Sequence, residues 1–311
     1  MITALAGGVG AARFLRGLVP AVVATGRDPQ TDVTAIVNTA DDTVVHGLHV
    51  SPDLDTVSYT LSGRSDEERG WGLAGETWQA MTALEGLGGE TWFRLGDRDL
   101  ATHLYRTERM DEGATLSEVT RELVSAMGVA ARLLPMTDDP VRTRLTLADG
   151  PEVAFQDYFV RLRHQVAVTS VRFEGVENAL PAPGVLDAIS SAEAIVICPS
   201  NPIVSVGPLL AVVGISDAVH AKREQVVAIS PIVAGSALKG PADHLMAELG
   251  HESSVVGVAR IYAEIASTLV IDAADAHLAV EVEKTGLRCV VTNTVMSDQS
   301  VAADLARFAL G

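Results

Sequence analysis

Ile2-Thr-Ala-Leu-Ala-Gly-Gly-Val-Gly-Ala-Ala-Arg-Phe-Leu15 is the stretch on which the fold reading turns. A short apolar run gives way to glycines, and these to a segment with Phe14, Leu15 and Leu18 on one helical face. The spacing predicts a strand over 2–6, a tight turn at Gly7, Gly8 and Gly10, and a helix over 11–24. Glycines let the backbone approach an anion closely, and a helix start adds free N–H groups and partial positive charge. The turn departs from two nucleotide-binding patterns. The third glycine of a dinucleotide fingerprint falls on Arg13, and no Gly-Lys-Ser/Thr comes after it. Arg13, one turn into the helix, could pair a phosphate. The plainer reading is a strand–helix turn with a surface arginine. Its place directly after the first strand favours phosphate.

Working outward, VTAIVN (33–38), AIVIC (194–198), VVAIS (226–230), TLVID (268–272) and LRCVV (287–291) repeat the character of the first strand. Continuous apolar strands alternating with helical segments are buried on both faces, as in a parallel sheet covered by helices. The expected fold is a doubly wound, mainly parallel, Rossmann-like α/β domain spanning 1–311. Residues of about 131–175 (ARLLPM, TRLTLADG, VAVTSVRF) read as hairpins and short strands, an inserted smaller α+β portion. Thr115-Leu-Ser-Glu118 is a capping box closed by Gly128. Pro241 falls where the first turn of a helix ending near Gly250 would be.

Bulk composition narrows the function. With 48% hydrophobic and 20% charged residues the chain is an ordinary globular protein. Only 4% is aromatic, so the core is built mainly from Val, Ala, Leu and Ile. A net charge of −17 with no basic stripe speaks against nucleic acid and makes local arginine clusters informative. Cys198 and Cys289 lie far apart in apolar strands and read as reduced core thiols, not as a metal motif or a disulfide framework. The N-terminal run has no charged leader, and the uncharged stretch 194–216 is broken by Pro199, Pro202 and Pro208. No membrane association is expected, and a cytoplasmic location is.

Four further strings could carry chemistry. Asn38-Thr-Ala-Asp-Asp42 comes after the second strand, where open sheets bind ligands; Asp41 or Asp42 points into the crevice or caps a turn. Ser51-Pro-Asp-Leu-Asp-Thr56 puts two carboxylates at a Pro-led helix start. They could bind Mg²⁺ or act as a base, and Asp53 could instead cap the helix. Phe93 to His103 crowds Arg94, Asp97, Arg98, Asp99 and His103 around Gly96, a polar density that suggests a site. Ser200 and Asn201, in CPSNP, offer uncharged hydrogen-bonding groups at another strand end. The other seven histidines show no ligand spacing.

AGGVG, NTADD, SPDLDT, RGWG (69–72), LGDRDLATH (95–103), LLPMTDDPV (133–141), FQDY (155–158), PSNP, ISPIVAG (229–235) and KGPAD (239–243) occur together in this order. In this the chain resembles the 2-phospho-L-lactate transferase family of coenzyme F-420 biosynthesis, and its GGVGAARFL and LGDRDLATHL resemble the actinobacterial branch. The resemblance implies a Mg²⁺-dependent enzyme that takes a guanosine diphospho-linked donor. It would pass a phosphorylated three-carbon acid to the ribityl hydroxyl of the deazaflavin Fo and release GMP. The actinobacterial likeness points to enolpyruvyl-diphospho-5′-guanosine as donor, with the lactyl compound as the alternative. It also implies that Asp55 and Arg94 contact the deazaflavin, that Asp41 is metal-associated, and that the glycine and PSNP loops face the nucleotide. Arg98 and His103 are placed on the deazaflavin side as well. Asp55 is left as base or metal ligand, and Asp55→Ala is expected to abolish transfer with the fold intact. A homodimer is expected. Two rivals differ in class. A non-catalytic, nucleotide-sugar-binding regulator of the same superfamily would lack SPDLDT and LGDRDLATH. An NAD-dependent oxidoreductase would use Asp41 or Asp42 on a ribose.

Overall fold

The computed structural model describes residues 1–310. The strands that form the central sheet are β1 (Ile2–Ala6), β2 (Val33–Val37), β3 (Arg132–Pro135), β4 (Ala194–Ile197), β5 (Val226–Ile229), β6 (Thr268–Asp272) and β7 (Arg288–Thr292). They lie in the order β7-β6-β5-β4-β1-β2-β3, and every pair is parallel. This is the doubly wound arrangement expected from the uninterrupted apolar strands. Ile2 pairs in register with Val33 on one side and Ala194 on the other, so β1 is central and fully buried. Alternate residues serve opposite faces: Leu5 enters one core with Ile36, Ile195 and Ile197, and Ala4 and Ala6 enter the other with Phe14, Leu15 and Leu18.

The helix after the glycines, α1, runs Val9–Val23, with Gly8 as its N-cap. Helix α2 is Pro52–Leu61, α3 is Asp99–Asp111 and α4 is Leu116–Met127. The capping box of α4 forms as expected: Thr115 accepts from the Glu118 N–H, Glu118 accepts from the Thr115 N–H, and Gly128 closes the helix at φ +72°. Pro241 is the residue just before the helix Ala242–Glu248.

One local expectation is corrected. ARLLPM does not belong to the inserted portion, because Arg132–Pro135 is the edge strand of the main sheet, parallel to β2. An edge place tolerates Pro135, whose missing N–H would break an interior ladder. Beyond this strand the chain forms a three-stranded antiparallel sheet, Arg142–Leu147 flanked by Glu152–Ala154 and Val168–Glu174. Its Leu145, Leu147, Tyr158 and Val168 pack with Val204 and Leu245 of the main body. Both cysteines are free, Cys198 buried and Cys289 half-buried. Among the described residues no single helix is long and apolar enough to cross a membrane.

Candidate active site at the switch point of the sheet

The strand order reverses between β1 and β4, which opens a crevice at the carboxyl ends of those strands. The glycine loop leaves β1 and the PSNP loop leaves β4, so the two meet there. Gly7 N–H donates to Ser200 Oγ at 3.1 Å, and a Cβ on Gly10 would overlap the Pro199 carbonyl oxygen. None of Gly7, Gly8 and Gly10 has a positive φ. Close approach, not left-handed backbone, is what requires glycine here.

The crevice has a volume of about 770 Å³. Of the residues singled out from sequence, Gly8, Gly10, Arg13, Asp41, Asp55, Arg94, His103, Ser200 and Asn201 all line it. Gly7 stands behind that lining, bonded to Ser200. Asn201 Oδ1 caps the next turn at Ile203 N–H (2.9 Å), and its buried Nδ2 has no hydrogen-bond partner. A buried donor without a partner, at the wall of a crevice, is a place for a ligand acceptor. Arg98 does not line the crevice. It is exposed at the start of α3 and donates to the Ala74 carbonyl at 2.8 Å. A residue at that N-cap projects outward over the 74–76 loop, and Arg98 holds that loop.

Two carboxylates face each other beside the glycine loop. Asn38 Nδ2 donates to Asp53 Oδ2 at 3.0 Å and to Asp41 Oδ1 at 3.3 Å. From the inserted portion, Gln156 Nε2 donates to the Asp41 backbone carbonyl at 3.1 Å. Asp42 turns away and accepts from Ser51 Oγ at 2.7 Å. The carboxylate next to Asp41 is therefore Asp53, where the resemblance had drawn attention to Asp55. Residues two apart on a helix point roughly 200° apart, so Asp53 and Asp55 of α2 cannot share one partner. Asp53 does not cap α2 either: its hydrogen-bond partner is Asn38.

Burial pushes Asp53 up to about 7, and Asp42 likewise to about 7. Burial and then the charges of Asp53 and Asp42 push Asp41 well above the usual carboxylate range. Asp53 Oδ1 also lies 2.6 Å from where a Cβ on Gly8 would be. A phosphate on this loop would face a carboxylate at contact distance, an arrangement that is repulsive without a cation between them. Mg²⁺ is commonly held by one or two carboxylates plus phosphate oxygens. Asp41 and Asp53 with the neutral Asn38 fit that need, although no group of three or more potential metal ligands occurs among the described residues.

The pH behaviour has a definite sign. Folded values raised above the unfolded one near 3.8 mean that these carboxyls favour the metal-free fold most at acid pH. Their contribution is lost as pH rises from about 4 through about 7. Mg²⁺ binds the ionised carboxylates. It is therefore expected to raise the melting temperature, relative to EDTA, clearly at pH 8 and little at pH 5. Equal shifts at both pH values would count against Asp41 and Asp53 as the cation site.

Asp55 has a different setting. The guanidinium of Arg106, on α3, binds both its oxygens, Nη2 to Oδ1 and Nη1 to Oδ2 at 3.2 Å. Arg106 is 2% exposed, and its Nη1 also reaches the His49 carbonyl (3.2 Å) and His103 Nδ1 (3.2 Å). His103 Nε2 lies 3.3 Å from Asp99 Oδ1, which accepts the Tyr59 hydroxyl at 2.6 Å. Burial pushes Asp99 up, but His103, Tyr59 and Arg106 together bring it below the ordinary value. Arg106 is absent from the residues that sequence pointed to. The available signal was spacing, since Asp99, His103 and Arg106 fall at i, i+4 and i+7 and share one face of α3.

Part of the crevice lining is aromatic. Arg69 stacks over Trp71 and Trp78, with centroid distances of 4.7 and 5.1 Å, and Arg94 covers Trp78 at 4.6 Å. Phe155 stacks on Phe159 at 5.5 Å, and Phe159 on His164 at 5.5 Å. Trp71, Trp92, Phe93, Phe155 and Phe159 face the crevice.

Sheet order and crevice define a Rossmann-like α/β protein with a carboxylate-lined site at the switch point. A family model, 2-phospho-L-lactate transferase CofD, matches residues 2–305, and the chain belongs to that family. A phosphoenolpyruvate transferase of Kitasatospora aureofaciens is 45% identical over 99% of this chain and 96% of its own length. One from Streptomyces griseus is 46% identical over 99% and 97%. One from Mycobacterium sp. (strain JLS) is 39% identical over 98% and 96%. A crystal structure of a upf0052 family member from Bacillus halodurans superposes with a TM-score of 0.61 at 18% identity, covering 100% of this chain and 98% of that one, which shows the shared fold. The chain is thus an enzyme, a transferase of the phosphoenolpyruvate/phospholactate type in coenzyme F-420 biosynthesis.

Proposed function

We propose that the enzyme transfers a phosphoenolpyruvyl group from enolpyruvyl-diphospho-5′-guanosine to the ribityl hydroxyl of Fo and releases GMP. The observation that carries this reading is the carboxylate pair set against the glycine loop, in a crevice that Trp71, Trp92, Phe93, Phe155 and Phe159 also line. The carboxylates suit a diphosphate with a divalent cation; the aromatic lining suits a flat tricyclic ring. The names of the actinobacterial relatives support the enolpyruvyl over the lactyl donor.

The Fo hydroxyl oxygen bonds to the β-phosphorus, the bond from that phosphorus to the bridging oxygen breaks, GMP leaves with the bridging oxygen, and the hydroxyl proton passes to the departing phosphate or to solvent. Asp41 and Asp53 would hold Mg²⁺, which would supply charge neutralisation at the diphosphate. Arg13 and the loop N–H groups add positive potential on the same side. Asp55, oriented by Arg106, accepts the hydrogen bond of the ribityl hydroxyl and so aims its oxygen. Arg94, which lies over Trp78 and lines the crevice, meets the polar edge of the deazaflavin.

The test is mass spectrometry of products formed from Fo, Mg²⁺ and either donor. The enolpyruvyl adduct is expected, lighter than the lactyl adduct by two hydrogens. Turnover with only the lactyl donor would replace the donor assignment, and no adduct with either would overturn the transferase reading proposed for these substrates.

A further inference from the structure

In a protein of net charge −17, cations left without partners inside a crevice are informative. Arg69 is engaged: it stacks between two tryptophan rings, donates to the Trp71 and Leu73 carbonyls at 3.0 and 2.8 Å, and pairs with Asp66. Arg106 is bound to Asp55 and Arg94 lies on Trp78. Arg13 and Lys239 both line the crevice, and neither has a hydrogen bond or ion pair among the described residues. Lys239 belongs to the loop before the helix Ala242–Glu248, far in sequence from the glycine loop. Its ammonium reaches across the crevice mouth to Gly70, where a Cβ would overlap Nζ. Gly70, at φ +79°, thus leaves room for the lysine head. Partial burial of the ammonium, and then the Arg13 charge, lower Lys239 below the ordinary lysine value, although the residue as a whole is exposed. Both cations line the same crevice, and the charge of Arg13 bears on Lys239. Such a pair is costly alone and is relieved by an anion placed between them.

We infer that Lys239, with Arg13, binds the anionic end of the donor beyond the α-phosphate: the β-phosphate and the acid it carries. This rests on the proposed guanosine diphosphate-type donor. It gives the 238–241 loop a direct part in recognising the group that is transferred. The α-phosphate and guanosine lie outside the reach assigned to Lys239. GMP and GDP differ by the group in question, so they separate this role from a general effect on nucleotide binding.

Titration calorimetry of GDP and of GMP, in Mg²⁺, with wild type, Lys239→Ala and Lys239→Arg tests the inference. Lys239→Ala is expected to weaken GDP roughly tenfold or more, the scale of one charge-assisted contact, while GMP affinity is unchanged and Lys239→Arg retains GDP. Lys239 is exposed on a loop, and an unchanged melting temperature confirms that Lys239→Ala is folded. Unaltered GDP binding by Lys239→Ala, or equal losses for GDP and GMP, would overturn the inference and leave the functional reading standing. A wild-type protein that binds neither nucleotide would overturn both.

Discussion

Arg106→Met is expected to cost about 3–5 kcal/mol of unfolding free energy, the largest loss expected from any single charged residue of the site. Arg106 and Asp55 are both buried, 2% and 6% exposed, and each satisfies the other. Removing the guanidinium leaves a carboxylate facing His103 and the His49 carbonyl with no counter-charge. The cost lies in that orphaned charge and not in the net worth of the pair, so a second change restores stability. Arg106→Met combined with Asp55→Leu is expected to recover most of the loss, because an apolar pair of similar volume needs no desolvation. Urea unfolding of the four members of this cycle is the measurement. A single Arg106→Met variant within about 1 kcal/mol of wild type would contradict it. The same reasoning bears on Asp55→Ala. That change strands a buried guanidinium, so a loss of stability is expected to accompany the expected loss of transfer.

Asp53→Asn is expected to act in the opposite sense on stability and strongly on activity. Asn keeps the shape and can still accept from Asn38. It removes one of the mutually repelling buried acids beside the glycine loop. In EDTA at pH 8, where Asp53 is pushed up to about 7 and is therefore mostly ionised, the variant is expected to melt above wild type. At pH 5 the carboxyl is already protonated and the difference shrinks. Transfer falls on the order of 10²–10³-fold, the scale for losing a charged group that stabilises the transition state. Gain of stability with loss of rate is the mark of a group retained for chemistry. A variant that melts lower at pH 8, or that turns over at the wild-type rate, would remove Asp53 from the cation site.

Much of this was legible in the chain itself. Uninterrupted apolar strands such as VTAIVN have no polar face, which required helices on both sides of a parallel sheet. The glycines after β1 marked the crevice because size alone was at stake there. ARLLPM misled because its proline suits a hairpin end and an edge strand equally. Asp53 looked like a cap because capping is local, while its actual partner, Asn38, comes from the end of another strand. Arg106 lay outside every motif string, since a buried arginine and a surface one on a helix look alike until the opposing carboxylate is placed.

By itself the sequence determined the sheet, the glycine turn after β1, and the family, because these depend on local periodicity, on residue size and on motif order. The tertiary structure alone decided which carboxylate faces which partner. The roughly 200° between Asp53 and Asp55 on α2 sends one to Asp41 and the glycine loop and the other to Arg106 on α3. It also brought Lys239 to Gly70, into the crevice that Arg13 lines. Charge pairing in a buried site is set by distances across elements far apart in the chain, and no spacing within one segment encodes them.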